Sequence, residues 1–477
     1  MPTFRIVPVL DDKQAVGNKS SFKEKAIPQG QHSIANDSNL ERPSEYLEVL
    51  DSRTKAKYIV PITNNSVKAV DIGRVKPPTG SLNKQQQTGA GLKVFDRGFQ
   101  NTACVESSIT FIDGERGQIQ FRDHDINYLF DNHDYEEVIF LLIWGHLPSN
   151  EERQSLRQDL ASEMKVPQSV VNTIRAFPRE SLFCTMIIAG LSAFAALDEG
   201  TQKLHSQHKP YFLGNIKNTD AAIIRALSSM AVTIALVYCH KRGHEFTEPD
   251  PQGSFIGNFL KMMGKSNQET EKCLERLWIL YADHEMTNST AAFLHVSSTL
   301  TDPISSSIAA MVSAYGPLHG GAIDLAYKGF EIIGSVDNVP FLIMAVKAKK
   351  QRLYGYGHRI YKTVDPRTKF IRQMIDEQVQ GSKKDGLPLL DIALAIDKVA
   401  STDEYFTSRK LSANADLYGA LLYTALGFES DTIIAMASLS RMAGVMAHWR
   451  ESMQQSPMLW RPQQLYQESS QQAAPSD

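Results

Sequence analysis

Two kinds of hydrophobic spacing divide the chain. Between about residues 46 and 122, short apolar runs are separated by turn residues. "YLEVLDSRTKAKYIVPIT" (Tyr46–Thr63) alternates well enough to predict a hairpin. "SSITFIDGERGQIQFR" (Ser107–Arg122) predicts two strands around an Asp-Gly turn. From Tyr128 onward the apolar positions take helical spacing. "DYEEVIFLLIWGHLPSNEE" (Asp134–Glu152) predicts a helix that stops at Gly145 and Pro148. Helix then follows helix, broken at "EPDPQGS", "TDP", "YGPLHGG" and "YGYGH". "LFCTMIIAGLSAFAAL" (Leu182–Leu197) is too short and too dotted with small polar residues for a membrane span, and reads as a core helix. No fixed-period repeat is present, which excludes a solenoid. The fold class expected is mainly α, with a small N-terminal β portion. "GSLNKQQQTGAG" (Gly80–Gly91) reads as a loop, and residues 1–43, polar and mixed in charge, as a disordered tail.

Composition narrows the function without naming it. With 477 residues, 42% apolar and 22% charged, the chain is of soluble globular type and long enough for more than one domain. A net charge of −3 points to neither nucleic acid nor an anionic membrane. The four cysteines (Cys104, Cys184, Cys239, Cys273) are scattered, with no CxxC pair, which argues against a disulfide scaffold and fits a reducing compartment. The N-terminal residues have neither signal-peptide nor transit-peptide character, and "QQAAPSD" is not a peroxisomal tripeptide. The expectation is a cytoplasmic location. "YCHKRGHE" offers Cys239, His240 and His244, but the spacing is irregular and a fourth ligand is missing; it reads as a basic helix end, with no metal site expected.

The candidate chemistry lies in a few polar residues set in apolar or glycine-rich surroundings. In "YADHEMTNST", His284 stands between two acids, late in an apolar helix. Alone it reads as a core histidine satisfied by a neighbouring carboxylate. In "YGPLHGGAIDLA", His319 sits where a new helix begins, a setting that favours a neutral ring able to donate to an oxyanion. A plain cap and turn explains the stretch equally well. "YGYGHRIYKTVDPR" (Tyr354–Arg367) places His358 after two glycines and Arg367 behind a proline, with Arg352 just ahead. In "SANADLYGALLY", Asp416 lies among small and apolar residues, where desolvation makes a carboxylate a stronger base. Arg441 and Arg461 follow in "SRMAGVMAHWRE" and "WRPQQLY". Each arginine by itself reads as a surface or structural ion pair. Together, these histidines, aspartate and arginines suit a small dicarboxylate and proton abstraction beside a carbonyl.

These residues carry a resemblance to the citrate synthase family. "FDRGFQNTACVESSITFIDGERGQIQFR", "GNFLKMM", "ADHE", "GPLHGG", "GYGHRIYKTVDPR", "NADLY", "RMAGVMAHW" and "RPQQLY" occur in that family's order, from about Tyr46 to Tyr466. The resemblance implies a mostly helical homodimer of two-domain subunits. Residues 44–285 with 426–477 form the large domain, and 286–425 a small one that closes over the first substrate. It implies that Asp416 removes a proton from the α-carbon of an acyl-CoA. His319 then stabilises the enol or enolate, and His358 polarises the keto oxygen of oxaloacetate. His284, Arg367, Arg441 and Arg461 hold the carboxylates, and Arg352 matches a family arginine near the site. Hydrolysis of the thioester follows, with no metal or redox cofactor.

Three departures from the family's pattern stand out. Tyr281 replaces a common histidine, "SLFCTM" replaces a His-Pro-Met stretch around Leu182, and "SANADLYGA" is aligned with Y-P-N-V-D-F-Y-S-G. Ser412, Ala415, Leu417 and Gly419 are all smaller than their counterparts. Vacated volume is costly unless filled, by about 24 cal/mol per Å³. Either neighbouring side chains fill it, or a substrate larger than acetyl-CoA does. The second option implies an alkylcitrate synthase, an activity known in this family from fungal natural-product pathways. An ordinary citrate or 2-methylcitrate synthase, and a helical scaffold homologue without catalysis, stand as the alternatives.

Overall fold

The computed structural model describes residues 43–78, 90–207, 209–381 and 389–466. The expected tail, save its last residue, and the expected loop over 80–91, save its last two, lie outside the described residues. The chain forms two units, Met1–Thr102 with Gln464–Asp477, and Ala103–Gln463. The described part of the first unit holds the hairpin β1 (Tyr46–Leu50) and β2 (Lys57–Pro61), antiparallel with Tyr46 opposite Pro61, and a short helix α1 (Ala69–Ile72).

The second unit opens with a three-stranded antiparallel sheet, β3 (Thr110–Asp113), β4 (Gln118–Phe121) and β5 (His124–Asp125). The hairpin expected from the Asp-Gly turn is β3–β4; β5, two residues long, had no signal in the pattern. Helices follow: α2 (Ile126–Asn132), α3 (Tyr135–Trp144), α4 (Asn150–Glu163), α5 (Gln168–Arg175), α6 (Phe183–Leu197), α7 (Glu199–Ser206) and α8 (Ile216–Arg242). Next come α9 (Phe255–Met262), α10 (Gln268–Tyr281), α11 (Asn288–Ser297), α12 (Pro303–Ala314), α13 (Gly321–Ile333) and α14 (Val339–Lys347). The last are α15 (Thr368–Gly381), α16 (Leu390–Ala400), α17 (Glu404–Thr407), α18 (Ala415–Ala425) and α19 (Ile433–Met453). The fold is thus mainly α, as the spacing predicts.

Local chemistry sets the helix ends. Asp134 and Glu137 form a capping box on α3, Ser149 and Glu152 one on α4. Gly145 ends α3 in the left-handed conformation at φ 92°. Asp302 caps α12 just ahead of Pro303. Helix α8 is long and apolar enough to cross a bilayer, yet 94% of its apolar window is covered by the rest of the protein. It is therefore a core helix, longer than the Leu182–Leu197 stretch singled out above. The core tightens around α10: the Trp278 ring lies 5.3 Å from Tyr135 and 5.7 Å from Phe259. The Tyr135 hydroxyl donates to the Ser440 carbonyl at 2.7 Å, tying α3 to α19. The end of α10 and the middle of α19 are thereby held together, and both carry residues of the candidate site.

Candidate active site

Three stretches of backbone meet around the predicted residues. The first is the turn after α10, which carries His284. Its carbonyls are capped from α19: Arg441 Nε donates to Tyr281 O at 2.6 Å, and Gly444 N to Ala282 O at 3.0 Å. Glu285, next to His284, takes the left-handed conformation at φ 53°. Its carboxylate accepts from Ile112 N at 3.0 Å, so β3 anchors the strained turn.

The second stretch is the glycine-rich loop of His358. Gly355 has φ 82°, and a Cβ there would lie 2.8 Å from the Leu417 backbone, so only glycine fits. The loop is stitched to the segment before α18. Gly357 N donates to Ser412 O at 2.7 Å, Asn414 N to Gly355 O at 3.0 Å, and Asn414 Nδ2 to Gly357 O at 2.9 Å. Lys362 N donates to Gly114 O at 2.9 Å, so the tip of the β3–β4 hairpin supports the same loop.

The third stretch is the start of α18, where Asn414 caps the helix by accepting from Asp416 N at 2.9 Å. Asp365 joins it to the loop: its Oδ2 accepts from Ala415 N at 3.2 Å. The same buried carboxylate grips Arg367 with two bonds, Nε to Oδ1 at 2.9 Å and Nη2 to Oδ2 at 2.7 Å. Asp365 thus links both sequence motifs, a role that its position two residues before Arg367 in "DPR" does not disclose.

The histidines are neutral and oriented. His358 Nδ1 accepts from Ile360 N at 3.1 Å and from Tyr361 N at 3.3 Å, which leaves the proton on Nε2. Its ring lies 5.3 Å from His284, whose Nε2 is 2.9 Å from the Tyr361 hydroxyl. His319 Nε2 accepts from Ser289 N at 3.3 Å and lies 2.9 Å from Ser289 Oγ, which leaves Nδ1–H as the donor. Burial, with Arg441 as the second cause, holds His319 down to about 4; burial and then Arg367 do the same for His358. Burial, Arg367 and Arg441 hold His284 well below its ordinary value. The neutral ring expected for His319 at a helix start is present, but desolvation is its main cause.

The charged groups have capacity to spare. No described residue hydrogen-bonds Nη1 of Arg367, either terminal nitrogen of Arg441, or the Asp416 carboxylate. Burial pushes Asp416 up to about 6 in spite of Arg367, with Asp365 adding to the rise. A desolvated carboxylate of this affinity is a competent base near neutral pH. Two guanidinium groups with open nitrogens, near two neutral imidazole donors, can bind a small dianion.

Not every predicted residue joins the group. Arg352 is exposed, its guanidinium carbon 5.5 Å from the centre of the Tyr354 ring. Arg461 is exposed on the segment after α19, beside Trp460, whose N–H donates to Ser298 Oγ at 3.1 Å. In "YCHKRGHE", the Cys239 thiol lies 3.4 Å from Met262 O and His240 Nε2 lies 2.9 Å from Phe177 O, both engaged by backbone. Asp365, Tyr361, Ser289 and Tyr281 are the contacts that sequence reasoning left without a role.

The chain is similar to known proteins along most of its length. The family described as citrate synthase, C-terminal domain, matches residues 98–463. A "citrate synthase-like protein" of Aspergillus oryzae is 46% identical, over 88% of this chain and 95% of its own. An "alkylcitrate synthase" of Talaromyces stipitatus is 37% identical, over 88% and 94%. The citrate synthase of Thermoplasma acidophilum, solved as a ternary complex with carboxymethyl coenzyme A and oxaloacetate, has a TM-score of 0.71 and 29% identity. That match covers 78% of this chain and 96% of the solved one. The family model over residues 98–463 and the 46% identity to the Aspergillus relative over 88% of the chain place this protein in the citrate synthase family.

Proposed function

We propose that the protein condenses an acyl-CoA longer than acetyl-CoA with oxaloacetate and hydrolyses the resulting thioester, releasing CoA and an alkylcitrate. One observation carries the condensation: the Asp416 carboxyl, pushed up to about 6, is hydrogen-bonded by no described residue and lies in the field of Arg367 and Arg441. Asp416 takes a proton from the α-carbon of the thioester. His319 Nδ1–H donates to the thioester oxygen as it gains charge, a contact of the kind worth about 10²–10³ in kcat. His358 Nε2–H donates to the keto oxygen of oxaloacetate, whose carbon then receives the enol. The open nitrogens of Arg367 and Arg441, with His284, orient the carboxylates; charge-assisted bonds contribute about 1.5–3 kcal/mol each. Water then cleaves the thioester to carboxylate and CoA. Proton transfer, carbonyl addition and hydrolysis require no metal or redox cofactor.

The acyl-chain assignment draws on the name of the Talaromyces relative and on the small residues Ser412 and Ala415 beside the base. The proposal includes closure of residues 286–425 over oxaloacetate, a cytoplasmic homodimer, and Arg461 reaching a carboxylate in the second subunit, since it is exposed in its own. One observation favours the ordinary citrate or 2-methylcitrate reading. The Tyr281 hydroxyl occupies the space next to Gly419, so that vacancy is filled by protein. Turnover of oxaloacetate with acetyl-, propionyl-, hexanoyl- and decanoyl-CoA decides between them. A higher kcat/KM for the longer thioesters is expected; a preference for acetyl-CoA ends the alkylcitrate reading, and no turnover with any ends condensation.

A further inference from the structure

Tyr281 touches three parts of the site at once. Its carbonyl accepts from Arg441 Nε at 2.6 Å, and its hydroxyl donates to the Ala415 carbonyl at 3.2 Å. The Arg367 guanidinium carbon lies 5.6 Å from its ring centre, within cation–π range. The ring is buried, and burial followed by the nearby Asp416 charge keeps the phenol protonated and hence a donor. One side chain thus joins the end of α10, the start of α18 and one of the open arginines.

Gly419 makes this possible. It stands one turn after Ala415 in α18, above the carbonyl that the phenol reaches. A Cβ at this position would lie 2.4 Å from the Tyr281 hydroxyl oxygen and 3.2 Å from Ile323 Cδ1. Glycine is disfavoured in a helix interior for reasons of backbone entropy, and here close approach of another side chain accounts for it. Two of the departures from the family's pattern, tyrosine for histidine at 281 and glycine for serine at 419, are therefore one physical event. The larger residue fills the volume given up by the smaller.

Resting on the condensation reading above, we infer that Tyr281 is a positioning residue for the Asp416 helix and that Gly419 is its matched space. The pair sets where the base stands relative to Arg367 and Arg441. The same fit closes the Gly419 side of the site to substrate.

The test is a double-mutant cycle in the full-length protein, read by melting temperature, steady-state kinetics and the pH profile of kcat. Tyr281→Phe keeps the ring and loses the hydroxyl; it should lower kcat about tenfold to a hundredfold, the scale of a small misplacement of a catalytic group. The KM for oxaloacetate and the melting temperature should stay near wild type. Gly419→Ser alone should lower both melting temperature and kcat. Combined with Tyr281→His it should regain most of each, because the shorter ring makes room for the serine. Wild-type kcat and pH profile in Tyr281→Phe would overturn the positioning role. Equal damage from Gly419→Ser with either residue at 281 would overturn the pairing. A wild-type protein inactive with every acyl-CoA would defeat the condensation reading and the positioning role with it. The steric pairing would still be judged, from melting temperatures alone.

Discussion

Glu275 and Asp416 are both half-buried carboxyl groups with a raised pKa, and only one has the makings of an active site. In the cluster around Glu275, burial and the neighbouring acids Asp134 and Glu136 push the group up to about 8. Around Asp416, burial and Asp365 raise the group to about 6 against the pull of two arginines. The shift is larger in the first cluster, yet both of its arginines are paired with carboxylates of the protein. Arg157 holds Glu136 with Nε at 3.1 Å and Nη2 at 2.6 Å, and Arg153 donates to Asp134. Glu136 also accepts from Phe255 N at 2.7 Å, at the start of α9. At Asp416, Arg367 is paired with Asp365, whereas Arg441 is paired with no carboxylate among the described residues and spends only Nε, on a backbone carbonyl. A perturbed pKa therefore does not mark a site by itself. A guanidinium beside it with no carboxylate of its own is the second mark.

The sharpest way to break this comparison is to neutralise each carboxyl in turn. Asp416→Ala should lower kcat by about 10³-fold or more, near the upper range of general-base effects, while far-UV circular dichroism stays unchanged. Glu275→Gln should leave kcat within about twofold, because the charged groups that act on it, Asp134, Glu136, Glu271 and Arg153, are not residues of the candidate site. Unchanged activity in Asp416→Ala would remove it from the mechanism, and a large loss in Glu275→Gln would erase the distinction drawn here.

The arginines come next. Arg441→Lys keeps the charge and loses the fork, so the KM for oxaloacetate should rise about 10- to 100-fold, as expected for one or two charge-assisted bonds. Arg157→Lys should leave that KM alone and cost about 1–3 kcal/mol of stability, measured by urea unfolding. If both variants shift KM equally, the open nitrogens of Arg441 are not what binds the substrate.

The smallest effects are those of pH. The base acts unprotonated, so kcat should fall below about pH 6 with a single-proton slope, following Asp416. His319 and His358, at about 4, stay neutral through that limb. Stability moves in a different way. The two rings bind protons less readily folded than unfolded, so acidification from about 6.5 to 4 should destabilise the fold. Asp416 has the opposite sign: its folded pKa is raised, so its favourable share is complete below about 3.8 and is lost as pH rises through about 6. Glu275 behaves likewise, its share complete below about 4.5 and lost as pH rises through about 8, and Glu275→Gln should remove that loss from a melting curve taken at pH 9.

Much of the architecture was legible in the linear pattern. The hairpins over 46–61 and 110–121, the helix ending at Gly145 and the start of α13 after "LHGG" follow from local rules of spacing, turn chemistry and capping. The motif residues His284, His358, Arg367, Asp416 and Arg441 were legible as well, because polar side chains in apolar or glycine-rich runs are costly without a purpose. Their partners were not. Asp365 drew no reading of its own, and Tyr281 stood as a substitution without a reason. The cause of the neutral His319 ring was read as a helix terminus, where burial dominates.

The division has a physical basis. Helices, turns and caps depend on neighbours within a few positions, so the order of residues determines them directly. It also determines which groups can act as base, donor or anion holder, since those are properties of side-chain chemistry. Which groups meet depends on contacts across large separations: Tyr281 with Ala415, Arg441 with Tyr281, His319 with Ser289. Solvent exclusion at those meetings sets each proton affinity, and packing decides whether a vacated volume is open or filled. Only the tertiary structure settled that Tyr281 fills the space beside Gly419, and that Asp416 forms no ion pair with a described residue.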